Sequence, residues 1–509
     1  MLQGIDFIVI AAYLLITVIV GIAVTRADPD ADELFLAGRS LGPLAIGLSL
    51  FASNISSTTL IGLPGAAYSN GIAVANYEWM AALVLVFTAV FVLPAFIGGR
   101  LVTVPELLER RFDARLRRYL SATSIFLSLA LDTAGSLYAG ALILSQLVPG
   151  LSLGAGCAGL ALFAGLYTAA GGLRAVVYTD VLQATVLLVG AAVMSWVVFG
   201  QFDHSWSQLS AAVAPDRLSL IRPLDDPALP WLGTLIGLPV LGFYYWTMNQ
   251  YVAQRLLGAR DLRAAGQGAL LAATLKLLPL FLMVMPGVMA AVLLPGLDRP
   301  DTVFVQLIAH YAPAGLAGLM VAGLIAAMMS SVDSALNSAS TLLISDFVQP
   351  RHPALSPRQM ARLGRVATLV FMLLAALWAP QIAHFPGLFA YLQQAFAYVT
   401  PPLVAVFVLA LWGRSIGSSA ALRALLTGHA ISAAAFVASA AGMFALHFTI
   451  VAGLLFVLTL LAAFVWQWRV SARDAVVRAL PDAGRAPASI RLGAAIIATV
   501  VALMVWLLR

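Results

Sequence analysis

Runs of about twenty apolar residues recur at roughly fourteen places along this 509-residue chain, and a bilayer core takes one such run per helix. They fall near 4–24, 41–69, 75–97, 118–147, 150–170, 178–200, 229–254, 266–294, 315–345, 362–380, 386–412, 419–442, 446–468 and 491–508. The division between 118–147 and 150–170 rests on the Pro149-Gly150 turn signal. Only 10% of residues are charged, against about 25% in soluble domains. The longest polar segments, 201–228 and 469–490, are linker-sized and leave no room for a soluble domain. An all-α integral membrane protein is the expectation.

The net charge of +6 could suggest nucleic acid, but the basic residues are distributed as a topology signal. Nearly all arginines, Arg255 among them, fall in loops that follow odd-numbered spans. Loops after even-numbered spans hold only Arg217, Arg222 and Arg299. The positive-inside rule makes the odd loops cytoplasmic and places both termini outside a cell membrane, with lipid and not nucleic acid as the surrounding partner. The first span has no basic n-region and no small-residue cleavage site, so it reads as a retained helix. A single cysteine, Cys157, excludes an internal disulfide.

Segment 41–69 does not read as a plain helix. Ser53, Asn54, Ser56, Ser57, Thr58 and Thr59 occupy its middle, followed by Gly62, Pro64 and Gly65. Backbone can unwind at membrane depth only where protein or water satisfies the freed groups; the alternative is a small-residue packing face. A second interrupted segment, 229–251, carries Gly233, Gly237, Pro239 and Gly242 ahead of FYYWTMNQY. Each opens a block of five spans, 41–200 and 229–412, and blocks of five have opposite topologies. Around them lie an N-terminal peripheral helix and loop (1–40), an extracytoplasmic loop (201–228) and three C-terminal peripheral helices (413–509). Paired interrupted helices in inverted halves point to a secondary transporter's binding site. Segment 104–118 reads as an amphipathic helix at the cytoplasmic surface.

Few ionisable residues fall inside spans: Glu78, Asp132, Lys276, Asp333 and, near a cytoplasmic end, Asp180. Lys276 is the only lysine in the chain. A cation in an apolar helix costs roughly 2.5–3.5 kcal/mol on insertion scales, so it faces a cavity or partner or snorkels to the interface. Glu78 fits either the aromatic belt or a partnership with Lys276. Two flexible side chains of opposite charge suit a polyhydroxylated solute, whose hydroxyls both donate and accept. The stretch 326–347 sets Ser330, Ser331, Asp333, Ser334, Asn337, Ser338 and Ser340 within a few turns. Such oxygens suit a small hard cation such as Na+, although small-residue packing would use the same types. Asp132, in LALDTAGSLY, acquires no role from sequence alone.

Catalytic signatures are missing from the sequence. There is no GxxxxGK[ST] loop, the six histidines are scattered without metal-ligand spacing, and no GxSxG element occurs. An enzyme is not expected. No filter-like repeat favours a channel.

Eight stretches carry a resemblance: FLAGRSLGPLAIGLSLFASNIS (35–56), GIAVANYEWMAA (71–82), TVPELLERRF (103–112), YTAAGGLRAVVYTDVLQ (167–183), YYWTMNQYVAQR (244–255), LKLLPLFLMVMPG (275–287), SSVDSALNSASTL (330–342) and YLQQAFAYVTPPLVAVF (391–407). Together they resemble the sodium/solute symporter family, and within it the sodium/sugar (glucose/galactose-type) cotransporter branch. The resemblance implies a LeuT-like core of two five-helix inverted repeats with discontinuous helices, importing a sugar or sugar-like polyol with Na+ as coupling ion. Sodium would lie at Ala52, Ile55, Ala327, Ser330 and Ser331. Sugar contacts would fall on Glu78, Lys276 and Gln393, with Asn54 and Thr59 at the break, Tyr245 beneath the sugar as inner gate and Trp246 beside it. Leu63, Tyr77 and Phe389 take the outer-gate positions. Asp180 and Ser334 fall where some members hold a second sodium ion, which Asp333 could strengthen. Thr59, Ala81 and Gly242 depart from the branch by shortening or losing polar contacts. Alternatives are a Na+-coupled carrier of an amino acid or carboxylate, a proton-coupled carrier using Asp180, Asp132 or Asp333, or a membrane sensor or channel.

Overall fold

The computed structural model describes residues 3–24, 31–147, 150–384, 388–413, 415–469 and 484–509. Among them the regular structure is helical, and the only sheet-like pairing is the isolated bridge between Leu41 and Ala259. Hydrocarbon favours this, because a helix satisfies its backbone groups within one segment. Eleven helices are long and apolar enough to cross a bilayer, from Gly4–Val24 through Leu316–Val348 to Ala488–Leu507. The pair Pro43–Asn54 and Thr58–Asn70, bent by 59°, passes the same test only when its two helices are taken together, and so counts as a twelfth when taken as one broken span.

Among the described residues, length and composition therefore qualify twelve crossings at most, against the expected fourteen, and the difference lies where the chain is most broken. The run expected at 150–170 is the first arm of Leu153–Phe199, which leaves helical geometry at Gly172. The run expected at 229–254 is a string of short pieces: Trp231–Ile236, Leu238–Phe243, a wide π-helical turn Tyr244–Met248, and Gln250–Leu257. The surface helix expected over 104–118 also stops early. It spans Val104–Arg111, because Asp113 accepts the amides of Arg115 and Leu116 and so opens the next helix.

Burial separates a core from a perimeter. The serine-rich helix Leu316–Val348 is 83% buried over its most apolar stretch, whereas Gly4–Val24 and Ala488–Leu507 are 17% buried. The perimeter presents large apolar side chains such as Ile8, Trp468 and Leu503 outward, where lipid replaces protein contact. In the core, small residues let helices approach closely. Gly47 lies against Leu271 while Gly268 lies against Ile46, so Pro43–Asn54 and Leu262–Leu275 interlock with no room for a Cβ at either glycine. This contact holds the broken helix beside the helix that ends at Lys276.

Candidate functional site

The break in the first interrupted helix follows from its hydroxyl residues. Pro43–Asn54 ends at Ile55, whose backbone (φ −75°, ψ 74°) cannot continue the helix. Ser56 then caps the next helix by accepting the Thr59 amide at 3.2 Å, and the Thr59 hydroxyl donates to the Asn54 carbonyl at 3.0 Å. Side chains thus replace part of the lost helical bonding, the condition for irregular backbone at membrane depth.

The break opens onto a cavity of about 150 Å³. Apolar cavities of that size admit a benzene-sized ligand, but here polar groups are set among an apolar lining that includes Leu238, Leu241 and Phe396. Asn54, Ser56, Thr58 and Thr59 line it from the break, with Tyr77 and Glu78 beside them. Tyr245, Trp246 and Tyr251 come from the second interrupted segment, Ser331 from the serine-rich helix, and Leu63 and Gln393 complete part of the wall.

Lys276 does not snorkel. It is fully buried, and its ammonium donates to Glu78 Oε2 and to Asn54 Oδ1, lying 5.0 Å from the Trp246 ring centre. Helix ends favour this pair: Glu78 sits in the first turn of Ala75–Phe87 and Lys276 at the C-cap of Leu262–Leu275, each charge opposing the local end of the helix dipole. Glu78 lines the cavity and Lys276 does not, so the ammonium stands behind the carboxylate and the Asn54 amide and positions both.

On the cation side, Ser331 joins the two elements that the sequence pointed to. Its hydroxyl reaches the Ser53 carbonyl at 3.1 Å and the Ala327 carbonyl at 3.0 Å. Ala52, Ile55, Ala327, Ser330 and Ser331 are all buried around this junction. Hydroxyl and carbonyl oxygens are the donor set that a small hard cation takes.

The second-cation expectation meets an arginine. Arg255 is fully buried and pairs with Asp180 at 2.9 Å, donating also to Ser49 and Ser334 at 2.5 Å each. Ser330 donates to the other Asp180 oxygen at 2.5 Å. A guanidinium therefore already neutralises Asp180 and bridges it to Ser334. Asp333 is buried on the same helix as Ser334. Arg255, read from sequence as a loop arginine, is the residue that sequence reasoning missed. It lies four positions after the cavity-lining Tyr251 on one short helix, the spacing that could have flagged it.

The same short helix closes one side of the cavity. The Tyr251 hydroxyl donates to that of Tyr245, and Arg255 lies beyond. Gln254 then ties the Phe35 carbonyl to Asn337 at 2.9 Å and to Thr341 at 3.0 Å. Of the residues expected at the gates, Leu63, Tyr77 and Tyr245 line the cavity, while the side chain of Phe389 lies outside the described residues. Ser56, Thr58, Ser136 and Tyr251 line it without having been assigned a role from sequence, as does Asp132, named there only under the proton-coupled alternative.

A profile of the sodium:solute symporter family matches residues 34–428. A sodium/glucose cotransporter of Vibrio parahaemolyticus is 35% identical over 452 residues, covering 83% of each chain. A sodium/myo-inositol cotransporter 2 of Oryctolagus cuniculus is 34% identical over 461 residues, covering 83% of this chain and 68% of its own. Among solved structures, a Na+-coupled sialic acid symporter in a substrate-bound outward-open state superposes with a TM-score of 0.81 at 22% identity, covering 92% of this chain and 98% of the other, a likeness of fold. Given a profile match over most of its length and relatives above 30% identity across most of both chains, this chain belongs to the sodium:solute symporter family.

Proposed function

We propose that the protein is a Na+-coupled symporter that imports a sugar or sugar-like polyol by alternating access. The observation that carries this is the Glu78 carboxylate, neutralised from behind by Lys276 and presented in a small cavity that opens at the same helix break where Ser331 meets Ser53. A carboxylate and an amide held in place suit a ligand whose hydroxyls donate and accept. The names of the relatives, glucose and myo-inositol cotransporters, support the same solute class.

In this reading sodium is held by the Ala52 and Ile55 carbonyls, Ala327, Ser330 and Ser331, which join the blocks 41–200 and 229–412. Holding the break also holds Asn54 and Thr59 in the solute wall, so ion and solute stabilise the same closed arrangement and each favours the other. Gln393 and Trp246 complete the solute wall, Tyr245 with Tyr251 forms the inner gate, and Leu63 and Tyr77 lie at the outer one. The arginine distribution supports a cell membrane location with both termini outside.

Proteoliposome uptake of labelled hexoses, pentoses and polyols tests this. An inward sodium gradient is expected to drive accumulation, and choline in place of sodium at fixed pH to abolish it. Lys276→Ala is expected to lower uptake at least tenfold while sodium binding persists, because it strips Glu78 of its buried partner. Undiminished uptake in choline would remove sodium as the coupling ion, and wild-type uptake by Lys276→Ala would remove the assigned role of the pair.

A further inference from the structure

A second carboxylate faces the cavity. Asp132 lies in a wide π-helical turn, Ser128–Thr133, between the helices Ala114–Leu127 and Ala134–Leu147. Single π turns within a helix occur often at functional sites, since the extra residue re-aims the side chains beside it. Here the turn leaves Leu131 and Asp132 on the cavity wall, with Ser136 one turn further on. Tyr245 and Trp246 reach the same cavity from another π turn, Tyr244–Met248.

The bonding of Asp132 is sparse. Asn249 donates to its Oδ2 at 3.5 Å, at the outer limit of a hydrogen bond. Among the described residues it has no ion-pair partner, and the fully buried cations are paired with other acids: Lys276 with Glu78 and Arg255 with Asp180. The carboxylates on the wall are thus Glu78, which has a counterion, and Asp132, which has none among the described residues. The one ammonium that could attract an anion stands behind Glu78 and not on the surface. A carboxylate accepts hydrogen bonds and cannot donate them, and charges a few ångströms apart in a poorly hydrated space interact strongly.

We propose that Asp132 is a solute-facing charge filter: it selects hydroxyl-rich or amine-bearing solutes and rejects their carboxylated counterparts. This rests on the reading of the cavity as the solute site, and narrows the solute class beyond it. Hydroxyl or ammonium donors on the solute supply the bonds that Asn249 alone does not, whereas a carboxylated sugar brings a like charge against Asp132.

Three size-matched probes test it: glucose, glucosamine and glucuronate, each labelled, in sodium-driven proteoliposome uptake. Wild type is expected to take up glucosamine at least tenfold better than glucuronate. Asp132→Asn is expected to reduce that ratio at least tenfold, and Asp132→Glu to restore most of it. An unchanged ratio in Asp132→Asn overturns the proposal, and that is also the result if Asp132 carries a proton. Should the variants fail to fold, competition in wild type decides: glucuronate must inhibit uptake of labelled glucose far less than glucosamine does, and equal inhibition overturns the proposal. If none of the three probes accumulates with sodium in wild type, the sugar reading itself fails and this inference goes with it; accumulation without charge preference sinks the inference alone.

Discussion

Two fully enclosed cations, Lys276 and Arg255, hold the carboxylates of Glu78 and Asp180, and removing either would leave a buried charge without its counterion. Such a loss costs about 3–5 kcal/mol. Arg255→Ala is therefore expected to lower the thermal unfolding midpoint in detergent sharply, and adding Asp180→Asn to recover much of the difference. Equal midpoints for wild type and the single variant would show that the pair contributes nothing. Lys276 and Glu78 were legible in the sequence because charge within an apolar run is rare and expensive. Arg255 was not: an arginine near the predicted end of a span looks the same whether it reaches a headgroup or folds back into the core. The Asp180 site shows the consequence, since a position expected to take a cation from solution already has one from the chain.

At the scale of elements, function depends on where helices fail. The first break was readable from its serines, threonines and asparagine, which compete for backbone bonds and are used here to cap both sides. The π-helical turns carrying Asp132 and Tyr245 were not readable, because a π turn needs no special residue and arises from packing around it. The bend at Gly172 lies between these cases. Its φ of 61° suits glycine, and an added Cβ would meet the Leu34 carbonyl at 2.9 Å. Gly172→Ala is expected to reduce the yield of monodisperse protein on size-exclusion chromatography severalfold, whereas Gly154→Ala, with open space around its added Cβ, is expected to be tolerated. Equal yields would mean that the bend accommodates a side chain.

Across the whole molecule, coupling is a statement about two blocks that share one junction. Ser331 binds the Ser53 carbonyl across 278 residues of sequence, so in the proposed assignment an ion at that junction and a solute beside Asn54 would bear on the same arrangement. Linkage requires reciprocity. Saturating sodium is expected to tighten solute binding by a factor of roughly 5–150, and saturating solute to tighten sodium binding by the same factor. Titration calorimetry in detergent measures both, and solute affinity independent of sodium would exclude the shared arrangement. The sequence by itself determined that the chain lives in a membrane, that its first core helix is broken, and that a few charges need protein around them, because hydropathy and backbone chemistry are local. Only the tertiary structure decided which acid meets which base: Lys276 finds Glu78 across 198 residues and Arg255 finds Asp180 across 75, while Asp132 is left with Asn249. Those matches depend on how helices from distant parts of the chain pack, and no window of sequence contains both partners.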